Sequence, residues 1–151
     1  MLLKLREINT ENWLDVIRLS SGEDQKNKIF EQYIASNCLS IAQASVTKEW
    51  VTKALYNDET LIGFTMFGYS KELKGYEICR LMVDYHFQGQ GFGREALQLI
   101  VKVMQIQYEC HEIFICFLPD NIKARSLYES CGFENTGKKI EDEVIYALNC
   151  V

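Results

Sequence analysis

The apolar and polar positions of this chain change period along its length. A short apolar strand, Leu2 to Arg6, precedes Thr10 and the segment ENWLDVIRLS, where Trp13, Val16, Ile17 and Ser20 fall on one helical face. KNKIFEQYIAS keeps that period, with Ile29, Phe30, Tyr33 and Ile34 in one stripe, and Ser40 to Ala44 reads as a short helix. From Trp50 a period of two takes over. WVTKALYN, the turn residues Asp58-Glu59 and LIGFTMFGY predict a β-hairpin, and YEICRLMV predicts another strand after the loop SKELKG. Helical spacing returns over roughly 91–108, where Leu97, Ile100, Val101, Met104 and Tyr108 form one apolar face. EIFICFL is apolar on both faces, as expected of a buried central strand. Asn121 can cap a helix IKARSLYES that ends at Gly132, and strands near Phe133 to Thr136 and at EVIYALNC complete the chain. The order predicts an α/β fold with helices flanking one mixed sheet, in a single domain spanning residues 1–151.

Composition narrows the classes. With 151 residues, 48% hydrophobic and 25% charged, the chain suits one globular domain that buries roughly 70% of its unfolded surface without a metal or disulfide staple. Sixteen basic against 21 acidic residues give a net charge of -5, which argues against a nucleic-acid partner. No apolar run approaches the ~18 residues of a membrane span, and MLLKLREINTENW lacks the features of a signal peptide. The six cysteines include no C-x-x-C pair and no histidine at zinc spacing. The expectation is a reduced, cytoplasmic protein with no metal site and no membrane association.

The segment with chemical content is Gln88-Gly89-Gln90-Gly91-Phe92-Gly93, between a strand and the long helix. Glycines there let the backbone approach a ligand closely, and the amides of a helix N-terminus favour a phosphate, with Arg94 alongside. A Walker A loop would need Gly-Lys-Ser/Thr where Gly93-Arg94-Glu95 stands. A dinucleotide fingerprint would place its third glycine one residue later than Gly93 and an acid near position 113, which is Ile. Both nucleotide readings fail on spacing.

What remains, Gln-x-x-Gly-x-Gly, resembles the acetyl-CoA signature of the GNAT superfamily of N-acetyltransferases. Leu81-Met82-Val83 is similar to the end of that family's splayed fourth strand. Asn121-(x)2-Ala124-(x)2-Leu127-Tyr128-(x)3-Gly132-Phe133 resembles its second motif. The resemblance implies the GNAT acyl-CoA N-acyltransferase fold with a mainly antiparallel sheet, acetyl-CoA as co-substrate, and no metal. It implies that Gln88, Gly89, Gln90, Gly91, Phe92, Gly93 and Arg94 hold the pyrophosphate. Backbone groups of Met82 and Val83 would align the pantetheine and polarise the thioester, while Asn121 and Ala124 would line the arm. Asn121 also reads as a simple helix N-cap. Tyr128, seven residues after Asn121 and so on the same helix face, would bind the cofactor and protonate the leaving thiolate. Its other reading is a core aromatic.

The general base is less directly marked. Glu77 and Cys79 share a strand face under period two. Where some polyamine acetyltransferases carry a carboxylate near the middle of this strand, Cys79 stands here, leaving Glu77 or a water relay as the candidate base. Arg80 would be odd as a polyamine contact and is expected to point away from the amine. Neither His86 nor His111 sits in a motif. Glu23, Asp24, Glu31, Asp58, Glu59 and Glu72 in the N-terminal half would attract a polycation, or form ordinary charged surface. Asn37-Cys38-Leu39-Ser40-Ile41-Ala42-Gln43-Ala44 and Ile78-Cys79-Arg80-Leu81-Met82-Val83-Asp84 are similar to bacterial diamine, spermine and spermidine acetyltransferases. The expected acceptor is therefore a small-molecule amine, a polyamine such as spermidine or spermine. The alternatives are an aminoglycoside, an amino acid, a protein N-terminus, or a CoA-binding sensor without turnover. Family members are often dimers, so a homodimer is a further expectation.

Overall fold

The structure, a computed structural model, describes residues 2–22 and 36–150. Its centre is a seven-stranded sheet in the order β1-β2-β3-β4-β5-β7-β6. The strands are β1 Leu3–Arg6, β2 Trp50–Asn57, β3 Thr60–Ser70, β4 Gly75–Val83, β5 Glu112–Phe117, β6 Glu134–Ile140 and β7 Glu143–Asn149. Every neighbouring pair is antiparallel except β4 and β5. The helices are α1 Trp13–Arg18, α2 Asn37–Val46, α3 Phe92–Tyr108 and α4 Ile122–Ser130, with a 3-10 turn at Tyr85–Phe87.

Each face of the sheet carries an apolar cluster where the alternation in its strands meets a helical stripe. On one face α3 buries Leu97, Ile100 and Met104 against Phe67, Ile78, Ile113 and Ile115, and Leu127 and Tyr128 of α4 join the same cluster. On the other, Val16 of α1 and Ile41 and Ala44 of α2 pack with Phe64, Met66 and Met82. The central strands therefore carry apolar residues on both sides, as EIFICFL suggested.

Three elements differ from the sequence pattern. The first helix starts at Trp13 rather than after Thr10, because the Asn9 side-chain carbonyl accepts from the N–H groups of Glu11 (2.8 Å) and Asn12 (3.1 Å) and forms a turn there. It stops at Arg18, where the chain becomes extended and the Ser20 N–H goes to the Asp84 carboxylate, 3.0 Å away, instead of a helical carbonyl. Only Val16 of the expected face is fully buried, and Trp13 is exposed. The short helix predicted at Ser40 to Ala44 extends over Asn37–Val46, capped by the Ser36 hydroxyl, which accepts from Leu39 N–H at 3.0 Å. The strand expected near Phe133 to Thr136 runs on to Ile140 as an exposed edge, with a register irregularity around Gly137 (φ 80°). Its ENTGKKI sequence has no apolar alternation to reveal it. The predicted helix through KNKIFEQYIAS lies outside the described residues, apart from Ser36.

Candidate active site

The site is made by two strands that part. β4 and β5 are in register only from Tyr76–Ile78 against Ile113–Ile115. Beyond Ile78, β4 continues beside β3 while β5 stays with β7. A cavity of about 310 Å³ opens at the divergence. Its walls are Leu81, Met82 and Val83 from β4, Phe87, Gln88, Gly89 and Gly93 from the following loop and α3, and Asn121, Lys123, Ala124, Leu127 and Tyr128 from the α4 segment. Ser21 reaches it from the N-terminal loop.

The glycine loop has backbone geometry suited to an anion. Gly89 (φ 75°) and Gly91 (φ 87°) both occupy left-handed backbone that L side chains rarely adopt. Gly91 is the N-cap of α3 and caps it with no side-chain bond, so the first-turn amides keep their donors for a ligand. The side chains of the loop have different tasks. The Gln88 amide Nε2 donates to Ser21 O (3.0 Å) and Val83 O (2.9 Å), tying the N-terminal loop to the end of β4. Gln90 is exposed, and Phe92 is buried with Leu55, Ile62 and Ala96. Arg94 donates to the Ser130 hydroxyl (2.9 Å) and carbonyl (3.3 Å) at the end of α4. Gln90, Gly91, Phe92 and Arg94 are thus not among the cavity-lining residues.

Asp84 reinforces the same junction. This buried carboxylate accepts from Ser20 N–H (3.0 Å) and His86 N–H (3.1 Å) and meets His86 Nδ1 at 2.7 Å. Burial works against its charge, but these bonds outweigh burial and hold its carboxyl below the usual range.

Asn121 and Tyr128 both line the cavity, as their spacing predicts. Asn121 serves as the N-cap of α4, its Oδ1 accepting from Ala124 N–H at 3.2 Å, which leaves the side-chain NH2 as its donor toward a ligand. Tyr128 packs edge-on to Phe117, with ring centroids 5.2 Å apart, so it is a packed aromatic and a cavity residue at once. Burial, with a contribution from the Glu143 charge, pushes its phenol up to about 12. A proton is therefore present on Tyr128 at neutral pH.

Glu77 is not among the residues lining this cavity; it belongs to a separate cluster of ionisable groups that crosses the sheet. Ile78 and Val144 pack in the α3-side core, so their strand neighbours Glu77 and Glu143 fall on the opposite face. Glu77 bonds Cys116 of β5, and burial lifts the Glu77 carboxyl above its usual range against the pull of Cys116 and Arg80. Glu143 is likewise raised by burial, against the Arg80 charge. Cys79 is driven up to about 12 by burial and Cys116 is also strongly raised, so both thiols stay neutral. Arg80 belongs to the same face. The register shifts by one residue, with Phe67 opposite Ile78 but Met66 opposite Arg80, so Cys79 is the extra residue of a β-bulge. The bulge turns Arg80 to the side of Glu77 and Cys79: its Nη1 donates to Cys79 O (2.8 Å) and meets Cys79 Sγ (2.9 Å).

Of the acidic residues expected to attract a polycation, the described ones sit at two turns, Asp58 and Glu59 between β2 and β3 and Glu72 between β3 and β4. Glu59 is exposed and pairs with Arg6 at 3.0 Å. Glu23, Asp24 and Glu31 lie outside the described residues.

The Acetyltransferase (GNAT) family model matches residues 4–133. The chain belongs to the GNAT family. It is an acetyl-CoA-dependent N-acetyltransferase. This GNAT enzyme is 25% identical over 144 residues, 91% of each chain, to the probable spermine N(1)-acetyltransferase of Bacillus subtilis subsp. natto (strain BEST195). It is 24% identical, with the same coverage, to the spermine/spermidine N(1)-acetyltransferase of Bacillus subtilis (strain 168). The crystal structure of spermidine N-acetyltransferase from Vibrio cholerae with CoA and spermine superposes with a TM-score of 0.78 at 18% identity, covering 98% of this chain and 95% of that one.

The GNAT cleft fits acetyl-CoA on its own chemistry. It combines an uncapped helix N-terminus for phosphate, a β4 edge without a strand partner for a polar chain, and the apolar Leu81 and Leu127 along the walls. Among the described residues no group of three or more His, Cys, Asp or Glu side chains is arranged to hold a metal, and no helix is long and apolar enough to cross a membrane. Glu143 and Asp84 escaped the sequence reading. A single Glu beginning a terminal strand carries no motif, and Asp84 acts through contacts with a loop 64 residues away in sequence.

Proposed function

We propose that this acetyltransferase moves the acetyl group of acetyl-CoA to a primary amine of a polyamine such as spermidine or spermine. The acceptor assignment rests on the near full-length likeness to relatives named spermine or spermidine acetyltransferases. The half-buried carboxylates Glu77 and Glu143 beside the splay add to it, since they suit a cationic acceptor.

Acetyl-CoA supplies an activated thioester; the protein supplies placement and protons. Backbone groups of Met82 and Val83 hold and polarise the thioester carbonyl. Glu77 takes a proton from the acceptor ammonium, directly or through a water, and frees the nitrogen lone pair to attack. As the C–N bond forms and the C–S bond breaks, Tyr128 gives its phenolic proton to the departing sulfur, and the second proton shed by the acylated nitrogen returns to Tyr128 through water. The observation that carries this role is the presence of Tyr128, protonated, in the wall of the cleft. A second reading, an amino acid amine as acceptor, has Arg80 in its favour, because a guanidinium on this face suits a carboxylate.

The test is release of free thiol from acetyl-CoA with spermidine, spermine, putrescine, free amino acids, an aminoglycoside and a peptide N-terminus. Turnover with spermidine or spermine at the highest kcat/KM is expected. No turnover of polyamines alongside turnover of another amine would exclude them as acceptor.

A further inference from the structure

The bulge at Cys79 puts an arginine where a cationic acceptor would least favour one, and the arginine has a definite setting. Its Nη1 is anchored to the Cys79 carbonyl and sulfur on its own strand. Its charge acts on Glu77 of β4 and on Glu143 of β7, which stand on the same sheet face. Two carboxylates and one guanidinium therefore share a half-buried space, with Cys116 of β5 bonded to Glu77. Without the guanidinium, two like charges in such a setting could not both ionise, and the pair would hold a proton at neutral pH.

We propose that Arg80 is a positioning residue that keeps Glu77 and Glu143 ionised together, so that Glu77 is open to accept a proton from the acceptor ammonium. This rests on Glu77 as the base in the reading above. Arg80 touches neither the thioester nor the proton in transit; it sets the charge state of the group that does. Among the described residues, the ionisable groups facing Glu77 are Arg80 and Cys79 on its own strand, Cys116 on β5, Glu143 on β7, and the more distant Glu72. Arg80 is the cation of this set, and Glu143 and Glu72 both disfavour ionisation of Glu77. Glu143 in turn faces Glu141 and Tyr128.

The experiment measures kcat/KM against pH for wild type, Arg80→Met and Arg80→Lys, with acetyl-CoA and the best acceptor from the amine panel. Arg80→Met is expected to lose at least ~10-fold at pH 7 and to move the acid limb of the profile up by about one pH unit, recovering at higher pH. Arg80→Lys, which keeps the charge, should hold the limb near its wild-type position. CoA affinity, read by calorimetry, should change less than about 3-fold in either. A loss of the same size at every pH, or a limb that does not move, overturns the proposal. Where Arg80→Met fails to fold, Arg80→Gln replaces it; a limb that moves in the Gln variant but not in the Lys variant supports the role, and equal limbs overturn it. Glu77→Gln separates the two readings. Turnover retained there removes the base and the Arg80 role together, whereas turnover lost there with an unmoved limb in Arg80→Met removes the Arg80 role alone.

Discussion

Tyr128 combines two properties that usually compete. Its ring is wedged between Phe117 and Phe133, with centroids 5.2 and 6.1 Å away, and it also lines the cleft. The packing fixes where the hydroxyl sits, and burial keeps it protonated well past neutral pH. Tyr128→Phe is therefore expected to lower kcat by ~10²-fold or more under conditions where chemistry limits the rate, with CoA affinity little changed because the ring contacts survive. Pre-steady-state thiol release with a parallel CoA titration checks it; an unchanged chemical rate would remove the acid role. At this scale the chain was readable wherever one residue had one task. Asn121 and Tyr128 stand in the cleft as their seven-residue spacing on one helix implies. The face of Arg80 is not legible from alternation, because the bulge at Cys79 suspends the period there.

Among the elements, β4 carries most of the site, and its position depends on how closely β3 approaches it. A Cβ added to Gly63 would come within 2.4 Å of the Met82 carbonyl oxygen, a backbone atom with no side-chain freedom to yield. Gly63→Ala should push the Met82–Val83 end of β4 toward the cleft, cost ~1–3 kcal/mol of stability as an overpacked contact, and raise KM for acetyl-CoA more than KM for the acceptor. Thermal unfolding and the two KM values test this; an unaltered KM for acetyl-CoA would mean that β4 yields in some other direction. The long elements were legible because their apolar period persists. α3 covers 17 residues and β3 covers 11, and both lie where the pattern puts them. β6 was only partly seen because its side chains are exposed, so no burial shapes its sequence. α1 was drawn too long because a carboxylate from another element takes the N–H that would have continued it.

For the molecule as a whole, Asp84 and Gln88 join the N-terminal loop to the strand and loop that form the cleft. The Asp84 carboxyl is held below its usual range in the folded state. Its contribution to stability is accordingly present above the unfolded value of ~3.9 and is lost as pH falls through the lower folded value. The difference in Tm between wild type and Asp84→Asn should be widest near neutral pH and close below about pH 3. A gap of constant size across that range would show that the charge of Asp84 plays no part. No local pattern reveals this coupling, since it joins residues 20 and 84 through a single side chain.

The three residue pairs that join β4 to β5 have a mechanical consequence. The sheet behaves as two ribbons stitched at one end, β1 to β4 on one side and β5 to β7 on the other, and the cleft is the unstitched length of that seam. A molecule lying in the cleft takes the place of the missing rungs, so it contributes to the cohesion of the protein while it reacts there. With α3 already bridging the two ribbons, occupancy of the seam is expected to add to their cohesion, so the empty enzyme should part along it more readily than the loaded one.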